Sequence, residues 1–479
     1  MGNARQADYT VRAMDSSGAL ATRPAVKAAL ELLSAWVDGQ RAYSGLPGAS
    51  LAVVHDQELV WAAGFGWADR ARKVPAAADT LYRIASITKT FTATAILQLR
   101  DAGKLQLDDP LTTHLPWFAM RSKHTDAPPI TIRHLLTHTA GLPREAPFPY
   151  WTDFDFPSPE RVREGLDRQE GILAAETRWK YSNLALALAG EIVQAVSGEP
   201  YAGYVKDHIL DPLGMKDTVV LAPDSGDPRL ARGYGRRMPD GHRAPAPHVD
   251  TRGISAAANM TTSVVDLARF AMLQFRDGPA GGAQVLRGST LREMQRIHWL
   301  EPDWQAGWGL GFRIQRVNGK TSFGHGGSLP GYRTNLRVWP VEKVAVIAMT
   351  NADDGDPQTM VERAQQYLGP PLARATAKDD TRRVDPAWQR YTGRYRSRWG
   401  DLHVLLVEEG LLVIEPSLPD PMLTAIRLDP IEGPPHTFRA DTSDGYASHG
   451  EPVVFELDEG GRPTRVRIGQ NYLDAVESW

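Results

Sequence analysis

The 479-residue chain has no cysteine, which excludes disulfides, thiolate metal ligands and cysteine nucleophiles together. It leaves the redox compartment open. Charge of one sign is lacking as well: 54 basic residues face 57 acidic ones, for a net charge of −3. No Lys/Arg block stands out, so no nucleic-acid partner is expected. Long hydrophobic runs are missing too; stretches such as Leu184–Ala189 fall far short of the ~20 residues that span a bilayer. The opening residues, MGNARQADYTVRAMDSSGAL, contain no apolar signal-peptide core. A cytoplasmic location without a membrane span is therefore expected, although an exported protein supplied without its signal would read the same. His-Glu-x-x-His and other clustered ligand patterns are absent, so neither a metal nor another cofactor is expected. Gly-x-Ser-x-Gly is absent as well, which argues against an α/β-hydrolase.

What is present is ordinary globular composition in a chain too long for one core. Residues 1–22 read as a flexible N-terminus, and residues 23–368 as the main domain. A helix is predicted from Pro24 to Val37, with Val26, Leu30, Leu33 and Val37 at helical spacing. A hairpin follows, Ser50–His55 and Leu59–Gly64 about a turn at Asp56-Gln57. Helices are predicted over Ser86–Ala102 and Asn183–Val196, and late strands near 311–317, 322–327, 334–339 and 344–350. Between them, 143–160 (PREAPFPYWTDFDFPSP) reads as a long aromatic loop. Residues 369–387 (GPPLARATAKDDTRRVDPA) read as a linker. About eight short strands after it, two of them meeting at Glu409-Gly410, predict a small antiparallel barrel over 388–479.

Three short patterns could carry chemistry. Ser86-Ile-Thr-Lys89 is the one Ser-x-x-Lys in the chain, and its spacing puts both side chains on one helix face. A serine hydroxyl needs a base to become nucleophilic, and a lysine serves if burial lowers its pKa. Tyr181-Ser-Asn183 precedes the apolar helix; a tyrosine beside a lysine can pass protons, and Asn183 can contact substrate or the lysine. His325-Gly-Gly327 sits where glycines admit a close ligand, with Ser328 N–H and Ser86 N–H able to form an oxyanion hole. Alone, each also reads as a surface tetrapeptide, a packed tyrosine before a helix cap, or a glycine-rich turn. His138 reads as a structural hydrogen-bonder. Tyr150 and Trp151, with Phe148, Phe154 and Phe156, could line an acyl pocket or anchor the loop; Trp299, Trp304 and Trp308 invite the same two readings.

Taken in order, these patterns resemble class C β-lactamases, serine D-amino-acid peptidases and esterases of the penicillin-recognising fold. LYRIASITKTFTATAILQLRDAGKLQLDDPL, TIRHLLTHTAGLP, YSNLALALAGEIVQAVSG, DPLGMKDT, ANMTTSVVDLARF, GWGLGF, GHGGSLPGY and VIAMTN all match that family's wording. The resemblance implies an α+β fold, an antiparallel sheet flanked by helices with an all-helical lobe. It implies acylation of Ser86, proton uptake by Lys89, proton relay by Tyr181, and a contact of Asn183 with substrate or Lys89; Gly327 and Ser328 are expected to meet substrate from the strand edge. His325 stands where class C β-lactamases carry lysine, so amide or peptide cleavage, with D-residues in view, ranks above ester cleavage and β-lactam hydrolysis. A small-molecule or short-peptide substrate follows. WQRYTGRYR resembles the start of the lipocalin-like barrel of some family peptidases, which could cover the active site or join copies in a homo-oligomer. The reading from another class is a non-catalytic ligand sensor.

Overall fold

A computed structural model describes residues 18–477, apart from 125, 279–281, 318, 378–384, 408–409, 419–421, 423 and 443–447. It divides into two compact units, Met1–Ala375 and Thr376–Trp479.

The first unit is built on nine antiparallel strands: β1 (Gly48–His55), β2 (Glu58–Asp69), β3 (Val74–Pro75), β4 (Trp299–Leu300), β5 (Ala306–Trp308), β6 (Arg313–Val317), β7 (Lys320–Leu329), β8 (Tyr332–Trp339) and β9 (Val344–Thr350). Their order is β3-β2-β1-β9-β8-β7-β6-β5-β4, so the N-terminal hairpin pairs with the last strand. Both faces are covered, and β1 is buried from Gly48 to Val54, with Ser50 its one polar side chain there, bonded to the Ala77 carbonyl. Leu51 and Val53 meet α1 (Pro24–Ser44) and a C-terminal helix, Pro357–Thr376. Ala52 and Val54 face the main core, shared with α2 (Thr88–Asp101), α3 (Ile132–Thr137), α4 (Asn183–Ser197) and α5 (Val264–Leu273).

Local chemistry sets the element ends. Pro24 opens α1, and Gly45 at φ 63° closes it, seven residues beyond the predicted end. The hairpin turns where predicted, with Asp56 at φ 50°. Ser182, rather than Asn183, caps α4 by accepting from Ala185 N at 3.0 Å. Gly198 at φ 79° ends that helix. The aromatic loop is not all irregular: Tyr150–Asp153 forms one helical turn.

The expected linker differs most. The helix α6 (Pro357–Thr376) runs through Pro370 and Pro371 into the 369–387 segment. Proline in a helix removes a donor and crowds the preceding turn, yet Leu368, Pro371 and Leu372 are all buried. Burial against the sheet outweighs the local signal. Residues 378–384 of that segment lie outside the described residues, as do 1–17 of the expected N-terminus and Glu409 of the expected Glu409-Gly410 turn; Ala19–Thr22 forms a 3-10 turn.

The second unit is a closed barrel of eight consecutive strands between Gly393 and Val476, the first pairing with the last. Tyr391, Tyr395, Phe438 and Phe455 fill its interior with Val404, Leu411, Val413 and Val466. The Tyr391 and Phe455 rings stack at 4.7 Å. Among the described residues no helix is long and apolar enough to cross a membrane, and no group of three or more His, Asp or Glu is placed to hold a metal ion.

Candidate active site

Ser86 lies on a 3-10 turn, Ala85–Ile87, that leads directly into α2. The turn begins with Ala85 at φ 48°, a left-handed conformation unfavourable for a residue with a Cβ. It turns the serine into a cleft of about 1070 Å3 lined entirely by the first unit. Lys89, three residues after Ser86 and second in α2, is completely buried. Its Nζ donates to Ser86 Oγ at 3.0 Å, Asn183 Oδ1 at 2.8 Å and the Ala257 carbonyl at 2.8 Å. Three acceptors match the three protons of an ammonium. Burial nevertheless pulls its pKa down to about 7, with Glu145 opposing and Arg144 adding to the fall. The lysine can thus hold or release a proton near neutrality.

Tyr181 completes the cluster. Its ring centre lies 5.0 Å from Lys89 Nζ and 5.0 Å from the Arg144 guanidinium. Burial pushes its phenol well above the usual value, opposed by a hydrogen bond to Ser86. The hydroxyl stays protonated at neutral pH. Around it stand His138 at 4.3 Å, His325 at 6.1 Å, Trp308 at 6.1 Å and Trp179 at 6.3 Å between ring centres.

The two histidines are neutral donors and acceptors rather than cations. His138 accepts from Ser182 N at 3.2 Å, so it holds the loop before α4, as its sequence context suggested. His325 Nδ1 pairs with the Gly326 carbonyl at 2.6 Å, which puts the ring proton on Nδ1. Its Nε2 is buried without a protein partner. Burial first, then the charge of Lys89, lowers its pKa to about 3.

Strand β7 forms the opposite wall. Its pairing with β6 stops at Gly324, while pairing with β8 continues to the Pro330-Gly331 turn. A two-residue hairpin makes Leu329 and Tyr332 a hydrogen-bonded pair, so Ser328, opposite Arg333, turns its N–H away from β8. Gly327 is required here: a Cβ would collide with the Ile84 carbonyl oxygen and the Thr334 hydroxyl. The glycine lets the strand lie against the serine turn.

Of the residues singled out in the sequence, Ser86, Tyr181, Asn183, Trp151, His325, Gly327 and Ser328 all line this cleft, and Lys89 lies directly beneath it. Tyr150 does not. It is fully buried, and its hydroxyl donates to Glu145 Oε2 at 2.6 Å. Tyr150 therefore supports a carboxylate instead of meeting a substrate. Trp308 is buried against His138, whereas Trp304 is 80% exposed. Glu145 and Arg144 were not foreseen, although both sit just beyond the THTAGLP segment. Arg333 was missed as well; it lines the cleft with its guanidinium on Ser328 Oγ and the Asp353 carbonyl.

Comparison with known proteins identifies the family. Residues 33–368 match the family model described as Beta-lactamase. Beta-lactamase-like protein 2 of Dictyostelium discoideum is 28% identical over 68% of this chain and 60% of its own length, so the chain spans less than two thirds of that relative. A D-stereospecific amidohydrolase from Streptomyces is 27% identical, with a TM-score of 0.57 over 69% of this chain and 97% of that one. The octameric penicillin-binding protein homologue from Pyrococcus abyssi, at 24% identity, shares the fold over 93% of this chain and 99% of its own, with a TM-score of 0.62. Other relatives are named as penicillin-binding proteins and an esterase. The chain belongs to the Beta-lactamase family of serine hydrolases, with a closed eight-stranded barrel after the family domain.

Proposed function

We propose that the protein cleaves small amides, with D-residue amides and short peptides foremost, through an acyl-enzyme on Ser86. The observation that carries this reading is the buried Lys89, hydrogen-bonded to Ser86 Oγ with its pKa brought down to about 7. Neutral Lys89 takes the Ser86 proton as Oγ adds to the substrate carbonyl. The Ser86 and Ser328 amides receive the oxyanion. As the C–N bond breaks, the amine leaves with the Tyr181 hydroxyl proton, which the Lys89 ammonium replaces. Water then attacks the acyl-enzyme, giving its proton back through the same pair and returning the acid and free Ser86.

Amides rank above esters because an amine must be protonated to leave, and Tyr181 keeps its proton at neutral pH. The likeness to a D-stereospecific amidohydrolase supports the stereochemical preference. β-Lactam hydrolysis ranks lower: His325, uncharged at neutral pH, offers no cation to a β-lactam carboxylate. The test is a parallel rate assay on a D-alanine anilide, a p-nitrophenyl acyl ester and a chromogenic cephalosporin, with S86A as blank. Ser86-dependent cleavage of the anilide supports the proposal. Cleavage of the ester alone would make the protein a carboxylesterase, and no turnover of any would favour a ligand sensor.

A further inference from the structure

The loop before the Tyr150 turn carries a carboxylate that the acylation scheme leaves unused. Glu145 Oε1 accepts from Asn183 Nδ2 at 2.7 Å and lies 3.3 Å from Arg144 Nε. Glu145 Oε2 accepts from the Tyr150 hydroxyl. An asparagine amide can be turned either way, with its oxygen or its nitrogen toward a neighbour. A carboxylate can only accept, so it claims the nitrogen and leaves Oδ1 for Lys89 Nζ. Were the amide reversed, two donors would face each other across the buried lysine, with a carbonyl oxygen against the carboxylate.

We propose that Glu145 is a positioning residue for acylation: it orients the Asn183 amide toward Lys89 and, with Arg144, sets the electrostatic balance at the lysine. The inference rests on Lys89 being the base. Glu145 and Arg144 act on that lysine with opposite sign, the carboxylate retaining its proton and the guanidinium expelling it. The other titratable groups around the pair are Tyr181 ahead of α4, His138 at the end of α3, His325 on β7 and Lys180, with Tyr150 behind the carboxylate. Both histidines are held neutral by burial and Tyr181 is held protonated, so near neutral pH the fixed charges nearest Lys89 are those of the Arg144–Glu145 pair. Arg144 is about two-thirds exposed and open to the cleft, so a substrate group that draws its guanidinium away would change the base strength beneath it.

The experiment is the pH dependence of Ser86 labelling by a fluorophosphonate probe, which needs no knowledge of the substrate. E145Q keeps the size and an acceptor for Asn183 but removes the charge. Its acid limb should move to lower pH by roughly one unit, and that of R144Q to higher pH by a similar amount. The double variant should return near the wild-type limb. A purely structural role would slow labelling without moving the limbs in opposite directions. Unmoved limbs, or limbs moving the same way, overturn the inference while K89M remains unlabelled. Labelling of K89M at the wild-type rate would instead sink Lys89 as base, and this inference with it.

Discussion

Gly327 and Ile84 lie in direct backbone contact, so the strand that closes the cleft rests on the turn that presents Ser86. Any side chain at 327 would push one away from the other. G327A should cost about 1–3 kcal/mol of stability from overpacking and lower the rate at least tenfold, because the Ser328 amide moves with the strand. Thermal unfolding and labelling kinetics check the two effects separately. A variant with normal labelling would remove β7 from the oxyanion role.

S86A should lose about 1000-fold or more of turnover and all fluorophosphonate labelling. Its unfolding temperature should stay close to wild type, since Oγ is a small group at the edge of the cleft. Retained turnover would place the nucleophile elsewhere.

The rate should rise with pH through about 7, because only neutral Lys89 accepts the serine proton. A kcat/KM profile flat from pH 5 to 9 would contradict this assignment.

Stability should respond to acid through His325. In the unfolded chain the imidazole takes up its proton near the ordinary value of 6.5, but in the fold not until about 3. Unfolded chains therefore bind more protons across that window, and stability falls as pH drops from about 6.5 to about 3. H325Q should flatten the fall by an amount on the order of a few kcal/mol. Denaturant melts at pH 4 and pH 7 supply the comparison; an equal loss in both proteins would show that other groups dominate.

Every residue lining the cleft precedes Thr376. A chain ending at Thr376 should therefore still label at Ser86 with wild-type pH dependence. Loss of labelling in a folded truncated protein would give the barrel a part in the site.

How far the sequence disclosed this arrangement depended on distance along the chain. Ser86 and Lys89 lie three residues apart, and Tyr181 and Asn183 flank the Ser182 cap of α4, so spacing alone could suggest their chemistry. Glu145 meets Asn183 across 38 residues, and no local pattern marks that contact. Tyr150 reads equally as a pocket wall or a loop anchor, because a loop rich in rings does not disclose which rings turn inward; its hydroxyl meets a carboxylate behind the wall. The Pro370-Pro371 pair signalled a break that the buried Leu368 and Leu372 override, since tertiary packing outweighs local preference there. The barrel was easier to read, because short strands with regular turns pair with their sequence neighbours.

That barrel has its first strand bonded to its last and its interior occupied by Tyr395, Phe438 and Phe455. Closure removes the sheet edges to which a further strand could add, and the aromatic filling takes the space a lumen ligand would need. What this barrel offers to other molecules is therefore its outer surface. Trp399, 84% exposed at a hairpin tip, is an aromatic ring presented on that surface.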